Sequence, residues 1–584
     1  MDMRCAPTLA SAPMDSANDD LNATQWVAVI GLFVVLAAPL AVALAWWCKR
    51  RYARAVVALQ RQAAPAAPSP PELEPPPRTA LIEPLAVDTV ALDSAAAAGP
   101  KPDALVDAES VRQRVLLAQG VMGAGLWLML VILAVAALAV WMAATGARDD
   151  AASFDLWAHL FLWPLLLAPP LLAWAFQAGW RESRVWIGFG VVFATMFVAI
   201  LGQSADALGS LAGVAAMAAL AAIPLAFMRP AFRGAGPPLV LALTAGMAVF
   251  WALGAIAAAF DDSDSNAPLT AADWWQAAWG LPLLLAIAAW CAWRLLLRLA
   301  RRYGEKRFSD VALAHSAYWS LVSAFTASAV LLVSFEERTG GTMEWVALAV
   351  FLLWWAWRTV QRRVVAALAR QAPARGPALL VLRVFKPSAR SESFMDRLLA
   401  RWRFVGPTWM IAGPDLAGAF MEPDEFFVWL RRRLRERFIA RADEVPERLA
   451  ALDNARDPDG RFRVSELFCA DSTWKPAVLA LMDRADVVLL DLREFTPERA
   501  GTHFELVQLL RRAELRKVRV LVGAGDAMPA LDAALQAAWR EAGRTTLVGT
   551  AAPRLRVLTL DQRSDVQVKT LTLVLARAAA ADAQ

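Results

Sequence analysis

The chain has 584 residues, of which 58% are hydrophobic and only 19% are charged. A single ordinary soluble domain is excluded, because such domains average about 45–50% apolar and about 25% charged residues. The net charge of +5 comes with arginines clustered at the ends of apolar segments, so it indicates membrane topology and predicts the lipid bilayer, not nucleic acid, as the partner. The four cysteines show no paired spacing, so the sequence indicates neither a disulfide framework nor a zinc site.

Nine apolar segments are long enough to be membrane spans, which need about 20 residues each. They cover residues 26–47, 115–145, 154–176, 185–201, 209–228, 239–260, 274–296, 316–335 and 345–360. Alternate loops are rich in arginine, as at 298–307, whereas the others are acidic or neutral, as at 261–264. Because basic loops stay in the cytoplasm, we expect a bacterial inner-membrane protein with a periplasmic N-terminus and a cytoplasmic C-terminal domain.

The spans divide the chain into six predicted parts. These are an extracytoplasmic tail (1–25), a first transmembrane helix (26–47), a cytoplasmic Pro/Ala-rich linker (48–114), an eight-helix transmembrane bundle (115–360), a basic juxtamembrane linker (361–377) and a cytoplasmic α/β domain (378–584). Residues 63–103 of the first linker are expected to be extended, because Pro and Ala bury little apolar surface. The spans carry almost no ionisable side chains, which disfavours a transporter.

From residue 378 onward, short apolar strands alternate with amphipathic helices, a pattern typical of a three-layer α/β domain with a mostly parallel sheet. Strands are predicted at 379–385, 408–412, 464–469, 487–492, 518–522 and 555–560. A helix is predicted over 425–439, and we interpret its run of arginines as a solvated face.

Ligands of open α/β sheets bind beyond the carboxyl ends of the strands. The side chains expected to line this rim as ligand-binding residues are Phe385, Lys386, Gly413, Asp471 and Arg493. No strand is followed by GxGxxG, a P-loop or GxSxG. The absence of these motifs argues against a dinucleotide-dependent redox enzyme, a P-loop NTPase and an α/β-hydrolase. No metal site is predicted.

One pair of neighbouring segments resembles a known family. Residues 485–492 read Ala-Asp-Val-Val-Leu-Leu-Asp-Leu, and residues 501–506 read Gly-Thr-His-Phe-Glu-Leu. This resembles the nucleoside 2-deoxyribosyltransferase family, in which a strand ending in Leu-Asp precedes a helix that opens with Gly-Thr and carries a Glu. It also resembles the TIR domains, which share the flavodoxin-like layout and place a Glu on the equivalent helix. The resemblance spans about the last 200 residues.

The resemblance implies attack at the N-glycosidic bond of a nucleoside or of NAD, with no cofactor required. Glu505 would act as the nucleophile or stabilise the cationic sugar, Asp491 would lie near the ribose, and Gly501 and Thr502 would open the helix. A carboxylate beneath the sugar ring can stabilise or trap the oxocarbenium-like state of such a cleavage.

Three functions remain open on the sequence alone. The first is a membrane-tethered effector whose cytosolic TIR-like domain binds and cleaves a nucleotide. The second is a non-catalytic scaffold or sensor with the same self-associating domain, in which Glu505 is only a first-turn carboxylate favoured by the helix dipole. The third is a transporter. We expect a homo-oligomer in the first two cases.

Overall fold

The computed structural model describes most of the α/β domain and parts of the apolar half. The described residues are 23–62, 85–97, 100–145, 171, 175, 182–201, 222, 232–259, 271–320, 342–383, 389–412, 421–470, 472–493, 500–512, 514–525, 528–543, 553–560 and 564–581.

Eight strands form one sheet in the order β1-β8-β7-β6-β2-β3-β5-β4, and every neighbouring pair is parallel. The strands are β1 Ala86–Ala91, β2 Leu379–Arg383, β3 Thr408–Ala412, β4 Phe438–Ile439, β5 Val464–Cys469, β6 Val487–Asp491, β7 Val518–Gly523 and β8 Arg554–Leu560. The side chains of β6 are buried along its whole length, as a continuous apolar run predicts for a parallel strand covered on both faces. The six predicted strands and the parallel sheet are confirmed.

The strand order locates a switch point. The five strands β3-β2-β6-β7-β8 follow the 2-1-3-4-5 order of flavodoxin-like sheets, with β5 and β4 added at one edge and β1 at the other. The direction of winding reverses between β2 and β6, so the crevice that such sheets offer to ligands opens beyond the carboxyl ends of these two strands.

Helices cover both faces of the sheet, which confirms the three layers. The helices are Ala23–Gln62, Leu92–Ala97, Asp103–Thr145, Glu182–Leu201, Gly236–Ala259, Ala271–Gly304, Thr342–Ala369, Ala389–Trp402, Pro423–Leu430, Val445–Ala450, Trp474–Arg484, Ala500–Arg512, Met528–Ala542 and Asp565–Ala580. Residues 310–320 are also helical. Three helices, 474–484, 500–512 and 528–542, pack on one face. Three others, 92–97, 389–402 and 565–580, pack on the opposite face.

The predicted extended linker contains part of the domain. Residues 86–91 form edge strand β1, paired with β8 along its full length, and Leu92 of the following helix is buried in the core. The Gln536 side chain also donates a hydrogen bond to the Leu85 carbonyl at 2.8 Å. The expectation that this linker buries too little apolar surface to fold is therefore wrong for residues 86–97. The segment 63–84 lies outside the described residues.

Two further boundaries differ from the prediction. The Thr342–Ala369 helix continues into the expected juxtamembrane linker, where Gln361 is buried. The predicted helix over 425–439 ends at Leu430 and is followed by Arg432 with a left-handed φ of 59°. Phe438 and Ile439 then form β4 instead, because pairing with β5 buries both side chains.

The apolar half is described in part. Two helices in the described ranges are long and apolar enough to cross a membrane, over Asp103–Leu133 and Trp279–Gly304, and the apolar helices Ser183–Thr195 and Gly236–Phe250 are shorter. Helices overlap six of the nine predicted spans. The predicted spans 154–176, 209–228 and 316–335 lie wholly or largely outside the described residues. What the structure describes thus supports an apolar helical half without establishing nine spans.

Large apolar side chains are exposed almost entirely on these helices. Leu117, Ile187 and Trp279 are between 65% and 68% exposed, whereas in residues 378–584 the described part of the chain exposes only Val566 in this way. Extended apolar surfaces of this kind mark contact with lipid or with another protein.

The ends of the apolar helices pack against β5 and β4 at one edge of the sheet. Phe468 of β5 and Phe438 of β4 share one buried cluster with residues of the helices 23–62, 236–259, 271–304 and 310–320. The Tyr52 and Phe468 rings meet edge to face with centroids 6.3 Å apart. At Gly234, an added Cβ would lie 2.0 Å from the Met421 carbonyl oxygen, so the backbones of the two halves are in direct contact there. The domain and the helix ends therefore share a core.

Candidate functional site

Glu505 lies on the Ala500–Arg512 helix that follows β6. Leu506, Leu509 and Leu510 of this helix are buried in the core, and they hold Glu505 at 6% exposure. Burial raises the pKa of the Glu505 carboxyl to about 8. Within the described ranges, no hydrogen bond or ion pair satisfies this carboxyl. Glu505 is therefore mostly protonated at neutral pH.

Polar side chains flank Glu505 along the same helix. Thr502, one turn before, and Gln508, one turn after, are both buried, and side chains three apart are neighbours on a helix surface. The Gln508 Oε1 atom accepts no hydrogen bond from the part of the chain that is described. His503 instead faces the Met528–Ala542 helix, with its Nε2 atom 2.8 Å from Glu541 Oε2. The polar face thus runs from Thr502 through Glu505 to Gln508.

Asp491 ends β6 in a buried ion pair. Arg493 donates from Nε to Asp491 Oδ1 at 2.8 Å and from Nη2 to Oδ2 at 2.6 Å. The guanidinium also lies over the Phe394 ring, 4.9 Å from its centroid. Arg383 of β2 is the register partner of Asp491 across the switch point. The end of β6 beside β2 therefore carries a buried ion pair, Asp491–Arg493, with Arg383 at the neighbouring strand end.

Asp491 and the helix that carries Glu505 lie on opposite faces of the sheet. Val487 and Leu489, which alternate with Asp491 along β6, pack in the same cluster as Phe394. Leu506 of the Glu505 helix belongs to the other buried cluster, which contains Val488. No described contact joins the two carboxyl groups, so their joint action in catalysis stays a prediction.

The other predicted site residues are only partly placed. Gly501 and Thr502 lie in the first turn of the Glu505 helix, as the resemblance implies. Phe385, Lys386, Gly413 and Asp471 lie outside the described residues. Where side chains are described, no group of three or more His, Cys, Asp or Glu could hold a metal ion.

The sequence analysis missed an acidic cluster where the first helix meets β5. Burial raises the pKa of Glu466 to about 7, although the Arg383 guanidinium acts in the opposite direction. Burial and the nearby Glu466 also raise the pKa of Glu425, whose Oε2 accepts a hydrogen bond from the Glu422 backbone nitrogen at 3.2 Å. Glu422 in turn pairs with Arg233. A single acid inside the apolar strand Val464–Cys469 was the sequence signal for this cluster.

Ion pairs fasten the domain to the helix ends. Arg403 contacts both Asp310 oxygens, with Nη1 2.6 Å from Oδ2 and Nη2 3.2 Å from Oδ1. Burial alone would raise the Asp310 pKa, but the Arg403 charge outweighs it and holds this pKa below its usual range. Lys306 Nζ lies 2.6 Å from Asp453 Oδ1 in the loop before β5. These contacts join residues far apart in sequence into one junction.

Comparisons with family models, with curated proteins and with solved structures give no match for this chain. The resemblance to nucleoside 2-deoxyribosyltransferases and TIR domains accordingly stays a hypothesis.

Proposed function

We propose that the chain is a membrane-anchored effector or signalling protein of the bacterial inner membrane, with nine spans and a periplasmic N-terminus. Its cytoplasmic α/β domain would bind a nucleoside or a nucleotide such as NAD at the rim and cleave the N-glycosidic bond. The observation that carries this proposal is the buried carboxyl of Glu505, which no described group pairs with, on the helix that follows β6, a strand at the switch point of the sheet.

The exposed apolar side chains support the membrane placement. Leu117, Ile187 and Trp279 belong to apolar strips whose exposure to water would be unfavourable in free energy. In a membrane, lipid would cover these strips. Arginines lie over tryptophan rings at the helix ends, with Arg50 3.4 Å above Trp46 and Arg294 5.6 Å from Trp290. Tryptophan with arginine beside it is typical of the cytoplasmic lipid–water boundary.

The state of Glu505 suits a cationic reaction centre. Breaking the C1′–N bond sends its electron pair to the departing base and leaves a sugar cation, to which water or the carboxylate adds. An approaching positive charge favours the ionised carboxylate, so the proton that Glu505 holds at neutral pH would pass to solvent water on binding or to the departing base during cleavage. A neutral carboxyl in the resting protein avoids a buried, uncompensated charge.

The test uses the full chain reconstituted in lipid nanodiscs and supplied with NAD and a panel of nucleosides. Free base is measured by chromatography for the wild type, for Glu505→Gln and for Glu541→Gln. Glutamine keeps the shape and neutrality of the resting Glu505, so loss of base release would report chemistry rather than misfolding. The exposed Glu541 should be dispensable. Release that survives Glu505→Gln, or no release by the wild type, contradicts the catalytic proposal.

The junction favours one alternative, a non-catalytic sensor or scaffold. Because helix ends and sheet share a core, a movement of the apolar helices would reach β4 and β5 directly. This alternative predicts that the full chain self-associates without base release, and that light scattering gives the same oligomer for wild type and Glu505→Gln. Oligomers that change with Glu505→Gln would count against it.

A further inference from the structure

Seven arginines lie at the cytoplasmic ends of two apolar helices, and none of them has an acidic partner among the described residues. They are Arg294, Arg298, Arg301, Arg302, Arg358, Arg362 and Arg363. Within the ranges that the structure describes, no carboxylate lies within ion-pair distance of any of them. In the α/β domain, by contrast, Arg403, Arg463 and Arg493 each pair with an aspartate. The helix ends thus carry uncompensated positive charge.

Packing brings two of these arginines together. The buried Arg358 donates from Nη2 to the Ala312 carbonyl at 2.9 Å, which ties the Thr342–Ala369 helix to the 310–320 helix. One turn further along, Arg362 comes near Arg302 of the Ala271–Gly304 helix. Burial and the positive charge of Arg302 both lower the pKa of Arg362. Because like charges repel, an anion that binds between two neighbouring guanidinium groups stabilises both.

Apolar surface adjoins the cations on both helices. Trp355 and Val360 precede Arg362 and are exposed, and Trp290 and Trp293 are exposed before Arg302. A ligand that fills this position would present an anionic group to the arginines and apolar chains to the strips beside them. Free phosphate satisfies only the first requirement, whereas a phospholipid satisfies both.

We propose that the surface between these helix ends binds the phosphodiester head group of an anionic phospholipid of the cytoplasmic leaflet, with Arg302 and Arg362 as its ligands. The site lies at the junction with the α/β domain, since Tyr303, next to Arg302, accepts a hydrogen bond on its backbone oxygen from Arg463 at 2.9 Å. Bound lipid would therefore stabilise the docked arrangement. The inference rests on the membrane placement in the proposed function but not on any nucleotide chemistry.

Native mass spectrometry of the full chain in detergent tests the site, with phosphatidylglycerol and phosphatidylcholine added in turn. We expect the wild type to retain phosphatidylglycerol selectively, and Arg302→Gln/Arg362→Gln to bind it on the order of 30-fold more weakly. Arg484→Gln/Arg540→Gln removes the same charge from exposed positions of the α/β domain and should bind like the wild type. Millimolar inorganic phosphate should not displace the lipid.

A further variant separates the loss of a ligand from the loss of the fold. Arg302→Lys/Arg362→Lys keeps the charges and should keep most of the selectivity, and the glutamine variant should melt no lower than the wild type without lipid. Equal lipid binding by wild type and glutamine variant, or displacement by inorganic phosphate, would overturn the proposal. A chain that does not insert into vesicles would contradict the membrane placement, whereas unselective binding by an inserted chain would contradict only this site.

Discussion

Glu505 makes the stability of the protein depend on pH. Its folded-state pKa of about 8 lies above the ordinary glutamate value of about 4.3, so the folded state binds a proton that the unfolded state has released between these pH values. Stability therefore falls as the pH rises through this window. Glutamine cannot ionise, so the Glu505→Gln chain should gain stability relative to the wild type between about pH 5 and pH 9, by a few kcal/mol.

Thermal unfolding of the full chain in detergent across this pH range measures the effect. The Glu447→Gln variant is the control, because this exposed carboxyl pairs with no described group and its loss should leave the difference from wild type independent of pH. Melting curves of Glu505→Gln and wild type that shift in parallel at every pH would show that the carboxyl is solvated.

At the residue scale, the sequence predicted where side chains lie better than it predicted their ion pairs and protonation states. Helical spacing explains why His503 points away from Glu505, because side chains two residues apart are about 200° apart around a helix. The sequence placed both Asp491 and Arg493 at the rim but did not predict that they pair. Their contact depends on the turn that the backbone makes after β6. The pKa of Glu505 depends on burial by the core around it, which has no local sequence signal.

At the scale of the elements, continuous apolar runs identified six of the eight strands. The other two strands, β1 and β4, depend on pairing with strands that are distant in sequence or were not recognised as their partners. β1 was missed because its Pro/Ala-rich surroundings predict an extended chain, and β8, which supplies its hydrogen bonds, lies at the other end of the sequence. The end of the Pro423–Leu430 helix was missed for a related reason. Only the pairing of β4 with β5 makes strand more stable than helix at Phe438.

Breaking the ion pair between Arg403 and Asp310 tests most directly whether the α/β domain stays docked on the helix ends. Arg403→Gln leaves Asp310 buried without its charge partner and weakens the Arg403 Nε hydrogen bond to the Phe462 carbonyl, which spans 2.8 Å. Removing one partner of a buried pair costs about 3–5 kcal/mol. We expect a clear loss of thermal stability and faster hydrogen exchange in the 310–320 helix.

Arg512→Gln is the matched control for this loss. Its pair with Asp483 spans 3.2 Å on the surface, and such pairs contribute about 0–1 kcal/mol. The double variant Arg403→Gln/Asp310→Asn should recover much of the stability because it buries no unpaired charge. Equal stability of Arg403→Gln and Arg512→Gln would mean that the junction opens in solution.

On the scale of the whole molecule, the chain is one docked unit rather than a domain on a tether. Hydropathy separated an apolar half from an α/β half, and this division holds for the described elements. The boundary at residue 378 fails to separate two independent folds, because β1 comes from before the bundle and helix ends cover β4 and β5. A fragment that begins at residue 378 would expose Phe438 and Phe468, so function has to be measured on the full chain.

The membrane placement, on which both proposals depend, is tested most directly by labelling single cysteines from either side of the bilayer. Val566 is exposed on the α/β domain, and Ser263 lies in an acidic loop predicted to be periplasmic. In a chain whose four native cysteines are replaced by alanine, Val566→Cys and Ser263→Cys are treated with an impermeant maleimide in intact spheroplasts. We expect Ser263→Cys to react at once and Val566→Cys to react only after the membrane is opened. Labelling of Val566→Cys in intact spheroplasts, or recovery of the chain in the soluble fraction, would contradict this placement.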